Sequence, residues 1–327
     1  MNYQPENCFA IASEEEFNSC ALATFRFQSE QVAVYKNYLQ LLGVNVNTIS
    51  HHTQIPFLPV SLFKSQEIIA RNYTPEIIFT SSGTTGMITS QHQVAKVELY
   101  EQSFLKAFQN TYGAIEGYCV IGLLPAYLER KGSSLVYMVN RLIEKSNHPQ
   151  SGFYLYQYSE LQQLLQQLKS NKQKTILIGV TFALLDMAER FSVDFPDLIV
   201  METGGMKGRR KEIVREELHH ILSKGFGVEK IHSEYGMTEL LSQAYSNGDG
   251  LFNCPPWMKI IIREINDPKQ LLKEGVTGGV NIIDLANYYT CAFISTQDLG
   301  KIHPDNQFEI VGRFDNADLR GCNLLVQ

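Results

Sequence analysis

From residue 76 to about residue 233, short β-forming runs alternate with longer amphipathic stretches. No other feature constrains the fold as much. The runs at 77–79, 118–123, 153–156, 175–180, 198–202 and 230–233 are rich in Ile, Val, Leu, Phe and Tyr. Between them, 97–112, 133–145, 158–170, 182–191 and 208–224 read as helices. Strands alternating with helices predict an α/β fold with a mostly parallel, covered sheet. The first 75 residues read as mainly helical. Ser13 ahead of Glu14, Glu15 and Glu16 predicts a capped helix start. Val32, Tyr35, Leu39 and Leu42 keep close to a 3.6 period through 28–42. After about Pro255 the texture changes to strands at 258–265, 279–285, 289–295 and 307–311, with turns between them. This predicts a small β-rich subdomain, barrel-like in outline, packed directly on the α/β part. The expected divisions are a helical segment 1–75, an α/β core 76–254, a β-rich subdomain 255–311 and a tail 312–327, all within one domain.

Composition narrows the function classes. The 327 residues are 44% hydrophobic with a net charge of −6, enough for a sizeable core and no recruiter of nucleic acid or an anionic membrane. Apolar runs such as 176–180 are strand-sized, far short of the ~20 residues a membrane span needs. The start MNYQPENCFA lacks the basic flank and apolar stretch of a signal peptide. Cys8, Cys20, Cys119, Cys254, Cys291 and Cys322 form no Cys-x-x-Cys pair. Reduced thiols and a cytoplasmic location are therefore expected.

Five stretches can carry chemistry. Thr80 leads from a strand into Ser81, Ser82, Gly83, Thr84, Thr85 and Gly86. Backbone N–H groups of such a loop converge on phosphate oxygens, and glycines let the chain approach closely. The alternative is a hydroxyl-rich turn. In HSEYGMTEL, residues 232–240, a strand ending at Ser233 leads to Tyr235, Gly236, Thr238 and Glu239. The aromatic can stack on a purine, the hydroxyl can hold a phosphate oxygen, and the carboxylate can hold Mg²⁺. The plain alternative is a strand-to-helix turn capped by Thr238. Gly204 and Gly205, after a strand end at Glu202, suit a flat ligand edge or a simple turn. Asp298, expected at a strand end, suits a ribose diol or a turn. In the tail, Arg313 and Arg320 are fixed cations, and Arg320 favours the thiolate of nearby Cys322. Otherwise Cys322 is a small buried anchor.

In this order the five stretches resemble the adenylate-forming superfamily of acyl- and aryl-CoA synthetases and peptide-synthetase adenylation domains. Ser81–Gly86 looks like its phosphate loop, and Tyr235–Glu239 looks like its Y-G-x-T-E motif. Gln297-Asp298 stands where the family usually has Gly-Asp. Residues 312–315, Gly-Arg-Phe-Asp, look like the G-R-x-D that opens its hinge. The passages 55–68, 124–139 and 318–325 resemble the branch of LuxE-type acyl-protein synthetases from bacterial luminescence operons. The resemblance implies the large N-terminal domain of that fold, without the mobile C-terminal lid, since the chain stops at Gln327. It also implies that ATP and Mg²⁺ activate a fatty acid as acyl-AMP. The acyl group would then move to Cys322 as a thioester, and from there to a partner reductase or acyl-carrier protein.

On that resemblance, the loop from Ser81 to Gly86 would take the β- and γ-phosphates. Thr238 would hold the α-phosphate, Glu239 the Mg²⁺, and Asp298 the ribose. Tyr235 would stack on adenine beside Gly204 and Gly205, and Arg313 would orient the nucleotide. Two departures matter: the lid lysine is missing, and Met87 to Ser90 replace the lysine that usually follows the phosphate loop. The alternatives are a reduced CoA ligase with CoA as acceptor, and a non-catalytic adenylate-binding partner. The runs 118–124 and 153–156 are either acyl-pocket walls or buried strands.

Overall fold

A computed structural model describes residues 3–81, 88–124, 132–204 and 213–314. Helices α1 (Glu14–Gln31) and α2 (Ala33–Leu41) come first, then the short strand β1 (Leu58–Pro59). A hairpin of β2 (Ile77–Thr80) and β3 (Gln91–Val94) follows. The α/β part then runs α3 (Val97–Tyr112), β4 (Cys119–Leu123), α4 (Ser134–Ser146), β5 (Gly152–Tyr154), α5 (Tyr158–Ser170), β6 (Thr175–Gly179), α6 (Thr181–Arg190), β7 (Ile199–Glu202), α7 (Arg215–Phe226), β8 (His232–Tyr235) and β9 (Ala244–Ser246). The remaining strands are β10 (Met258–Arg263), β11 (Gly278–Asp284), β12 (Phe293–Ile302) and β13 (Phe308–Arg313).

Six strands form one sheet in the order β5-β4-β6-β7-β8-β9. All its pairings are parallel except β8 with β9. Every residue of β4 and β6 is buried. Unbroken apolar runs are what a parallel strand covered on both faces requires. Gly122 in β4 is dictated by its neighbour: a Cβ there would stand 2.6 Å from the Phe153 ring of β5. Within the run 118–124, Cys119–Leu123 is a fully buried strand; within 153–156 only Phe153 and Tyr154 belong to a strand, β5, which is half-buried at the sheet edge, and Tyr156 is exposed.

In the N-terminal part, Ser13 Oγ accepts from Glu16 N at 3.2 Å, the cap its position predicts. The single period over 28–42 does not make a single helix. Val32 leaves helical geometry between α1 and α2 and pairs with Ala70. Tertiary bonding explains the break. The buried Gln28 side chain donates to the carbonyls of Asn287 and Tyr288 at 2.9 and 2.8 Å and accepts from Ala292 N at 3.0 Å.

The β-rich part is an open five-stranded sheet. Strands β10, β11 and β12 are antiparallel neighbours, and β1 and β13 both pair with β12. Strand β12 is longer than expected, so Asp298 lies inside it, opposite Arg313 of β13, and not at a strand end. One continuous apolar core runs through both sheets. Among the described residues, no helix is long and apolar enough to cross a membrane. Gly122→Val should cost about 1–3 kcal/mol through overpacking against Phe153. Urea denaturation measures this, and adding Phe153→Val should recover part of the loss.

Candidate active site

The first motif sits at the tip of a hairpin. Strands β2 and β3 pair from Ile77–Val94 to Thr80–Gln91. The ladder continues one step: Ser81 N donates to Ser90 O at 3.0 Å, and Ser90 N donates to Ser81 Oγ at 2.9 Å. Ser82, Gly83, Thr84, Thr85 and Gly86 lie outside the described residues, as do Gly205 and Cys322.

Ser90 and His92 are two residues apart on an extended chain, so they share a face. Both reach the segment 238–239. The Ser90 hydroxyl bonds the Glu239 carboxylate. The His92 Nδ1 lies 2.8 Å from the Thr238 carbonyl. A carbonyl only accepts, so that nitrogen carries the proton. Nε2 of His92 is 3.0 Å from Asn287 Oδ1 and 3.2 Å from Thr290 Oγ1. Asn287 Nδ2 in turn donates to the Glu239 carbonyl at 2.8 Å. Burial pushes His92 down to about 4, against the Thr238 and Asn287 contacts, so the ring is neutral at pH 7; Nε2 is then an acceptor, for which Thr290 Oγ1 and not Asn287 Oδ1 can be the donor. Burial also raises Glu239 above the usual carboxylate range, against the Ser90 bond and more distant attraction from Arg313 and Lys64. No helix follows Thr238; a turn closed by Leu240 N to Met237 O, 3.1 Å, leads on to β9.

Beyond that turn the chain is held by Asp284, which is fully buried. Its carboxylate accepts from Leu241 N at 2.7 Å, Ser242 N at 3.0 Å and Ser242 Oγ at 2.5 Å. Ser242 Oγ also accepts from Trp257 Nε1 at 3.0 Å and lies 2.9 Å from Ser103 Oγ on α3. Burial lifts Asp284 to about 6 despite these donors.

A second cluster forms around Asp298. Strand β8 extends to Tyr235, beyond the expected end at Ser233. The Tyr235 hydroxyl donates to Asp298 Oδ2 at 2.8 Å, and Arg313 Nε lies 3.2 Å from Oδ1. Burial raises Asp298, while Tyr235 and Arg313 pull it the other way. Both carboxylate oxygens are therefore engaged, and a diol binding there shares them with these partners or displaces one. Arg313 is the one with room to leave, its side chain being 71% exposed. The Tyr235 ring packs edge-on to Phe252 and Phe308, with centroids 6.0 and 5.5 Å away. Gly236 is exposed beside it.

Gly204 ends the neighbouring strand in a left-handed conformation, φ +70°. Its N–H donates to Glu202 Oε2 at 2.7 Å. Burial works to raise Glu202, but the nearby His219 ring, 3.9 Å away, and the Gly204 N–H outweigh it and hold the carboxyl below the usual range.

The structure thus brings the hairpin root at Ser81 to Thr238 and Glu239, and brings Tyr235 to Asp298 and Arg313. Ser90, His92, Asn287 and Asp284 are the supports that motif reading missed. The signal for His92 was a polar run, Gln-His-Gln, in a strand whose last three residues are buried.

Replacing His92 by Ala leaves the Thr238 carbonyl unpaired inside the protein and should cost about 3 kcal/mol. The depressed value gives a sign as well. His92 contributes stability above its ordinary value of 6.5, and that contribution is lost as pH falls toward about 4. His92→Ala should therefore flatten the loss of melting temperature between pH 6.5 and 4.

Solved structures share this fold. ATP-bound MatB from Rhodopseudomonas palustris superposes with a TM-score of 0.53 at 17% identity, over 72% of this chain and 47% of that one. The protein here spans about half the length of that relative. A 2-hydroxyisobutyryl-CoA ligase in its postadenylation state, in complex with R3-HIB-AMP, superposes with a TM-score of 0.68 at 11% identity, over 95% of this chain and 70% of that one. The same ligase in its thioesterification state, with 2-HIB-AMP and CoA, gives 0.67 at 13% identity, over 94% and 70%. The architecture is that of an adenylate-forming ligase domain. No curated protein matches the chain in sequence. The family model for acyl-protein synthetase, LuxE, matches residues 6–327, and the chain belongs to that family.

Proposed function

We propose that this protein joins a carboxylic acid, most simply a fatty acid, to AMP and passes the acyl group to its own Cys322 and then to a partner protein. The observation that carries this reading is the convergence on Glu239. The Ser90 hydroxyl at the hairpin root bonds its carboxylate, while His92 and Asn287 hold the backbone beside it. A loop suited to phosphate and a carboxylate suited to a cation are thereby fastened to one another.

In the first step a substrate carboxylate oxygen attacks the α-phosphorus of ATP. The bond to the bridging oxygen breaks, and pyrophosphate leaves. The protein orients the reactants and stabilises phosphate charge. The loop Ser81–Gly86 receives the β- and γ-phosphates, Thr238 the α-phosphate, and Asp298 the ribose once Arg313 swings toward the nucleotide. Adenine lies between Tyr235 and the Gly204-Gly205 backbone. Among the described residues there is no cluster of three or more His, Cys, Asp or Glu. A lone buried carboxylate such as Glu239 fits Mg²⁺, which takes one or two carboxylates together with phosphates and water. Bound with the nucleotide, Mg²⁺ would neutralise charge on the phosphate oxygens.

In the second step the Cys322 thiolate attacks the acyl carbonyl and AMP leaves. The other cysteines are poor candidates for this step. Burial pushes Cys119 up to about 11 and Cys254 and Cys291 to about 12, and also raises Cys8 and Cys20. Thiols held protonated at neutral pH are weak nucleophiles.

The test follows ATP–pyrophosphate exchange with acids of increasing chain length, then acyl label on the protein, with and without CoA. Cys322→Ala should retain exchange and lose the hydroxylamine-sensitive label. Label surviving that substitution overturns the role of the tail. Thioester formed only with CoA, and no label on protein, would mean a CoA ligase. No exchange with any acid would mean a binding protein. Glu239→Gln should lower the exchange rate about 100-fold, the scale for losing one preorganised charge contact.

A further inference from the structure

Strand β8 has two faces, and only one of them is used by the nucleotide reading. Side chains alternate along a strand, and the register pairs Tyr235 with Ala244 and Glu234 with Tyr245. Tyr235 therefore turns toward Asp298, while Glu234 and Tyr245 share the opposite face. Gly236 and Gln243 continue that face. A Cβ on Gly236 would land on Glu234 Oε1, with Gln243 Cγ at 3.5 Å. Helix α3 lies on this side: Tyr112 stacks edge-on to Tyr245 at 5.5 Å.

Most polar atoms on this face have partners. Tyr100 donates to Ser134 O at 3.0 Å, and the Tyr112 hydroxyl is 3.2 Å from His232 Nδ1. Two do not. Gln243 Oε1 and the Tyr245 hydroxyl are buried without a hydrogen bond, in residues only 3% exposed. Beside them stands the partly buried Glu234 carboxyl. Burial, with some repulsion from Glu202, pushes it up to about 8. Buried polar atoms are nearly always paired, and an orphan costs free energy until something pairs with it. Gly236, next to them, is exposed and has no side chain.

We propose that Glu234, Gln243 and Tyr245 form a subsite for a hydrogen-bond-donating substituent, a hydroxyl or an ammonium, on the acid that is activated. This rests on the acid-activating reading above and deepens it. The atoms specify the chemistry. Gln243 Oε1 only accepts, the Glu234 carboxyl keeps an accepting oxygen whether or not it holds its proton, and a phenol can do either. A donor satisfies all three. A bare alkyl chain satisfies none and keeps the desolvation cost. The place also fits. Glu234 immediately precedes Tyr235 on the face turned away from the nucleotide, so acid and nucleotide lie on opposite sides of one strand, with Thr238 beyond its end.

Sites that hydrogen-bond a substrate group discriminate strongly against analogues lacking it, because their own buried atoms are left unpaired. The experiment measures kcat/KM for ATP–pyrophosphate exchange with length-matched acids, unsubstituted, hydroxylated and aminated at successive carbons. The parent protein should prefer at least one hydroxy or amino acid over the unsubstituted acid by about 10-fold or more. Gln243→Leu and Glu234→Leu should erase that preference, and Glu234→Gln should retain it for hydroxy acids and lose it for amino acids. Thermal melting confirms that each variant is folded. Should a variant fail to fold, the preference of the parent protein across the panel still decides. Exchange that is equal or better with unsubstituted acids overturns the subsite and leaves acid activation standing. Exchange with none of the acids overturns acid activation, and the subsite falls with it.

Discussion

A neutral imidazole at the centre of the molecule holds the candidate site in place. His92 on β3 reaches the Thr238 carbonyl on one side and Asn287 and Thr290 on the other. Those partners are 146, 195 and 198 residues away in sequence. A charged side chain in this position would need a buried counter-ion, with a desolvation cost that such pairs often fail to recover. A histidine kept uncharged by burial supplies a directed donor and an acceptor without that cost. Because Ser90 lies on the same face two residues earlier, one short strand holds both the backbone of Thr238 and the carboxylate of Glu239.

The two sheets are joined by polar contacts as much as by the apolar core. Asp284, at the end of β11, receives two main-chain N–H groups and the Ser242 hydroxyl from the segment that follows Glu239. Ser242 links onward to Trp257 and to Ser103 of α3. Gln28 of α1 ties the 287–292 loop to the helical part. A ligand that repositions Glu239 therefore acts on a segment braced from three directions. Arg313 has no such bracing, its side chain being 71% exposed where it meets Asp298.

Much of the architecture was legible from pattern. The central strands are apolar throughout because both faces are covered, and the helices over 97–112 and 158–170 have their expected bounds. The misreadings share a cause. The 28–42 segment keeps a helical period, yet it breaks at Val32 because Gln28 and Ala70 hold the chain on either side of a bend. Strand β12 runs through Asp298, although Thr-Gln-Asp looks like turn composition, because β11 and β13 pair with it. The strand β3 was invisible because His92 and Gln93 are polar, and a polar residue signals a surface unless its partner is known. Ser81, Thr238, Glu239, Tyr235, Asp298 and Arg313 could be singled out from local chemistry, but their grouping into one site came only through resemblance to a known family.

The sequence by itself determined the alternation of strand and helix, the order of the motifs and the residue types available at each. These follow from local propensity and from which runs are apolar enough to bury. Tertiary structure alone decided that a hairpin root meets Glu239, that Tyr235 and Arg313 share Asp298, and that Glu234, Gln243 and Tyr245 gather under α3. Each of those contacts joins segments that lie apart along the chain. A buried hydrogen bond exists only when both partners have been brought out of water together, and no local pattern records the identity of a distant partner.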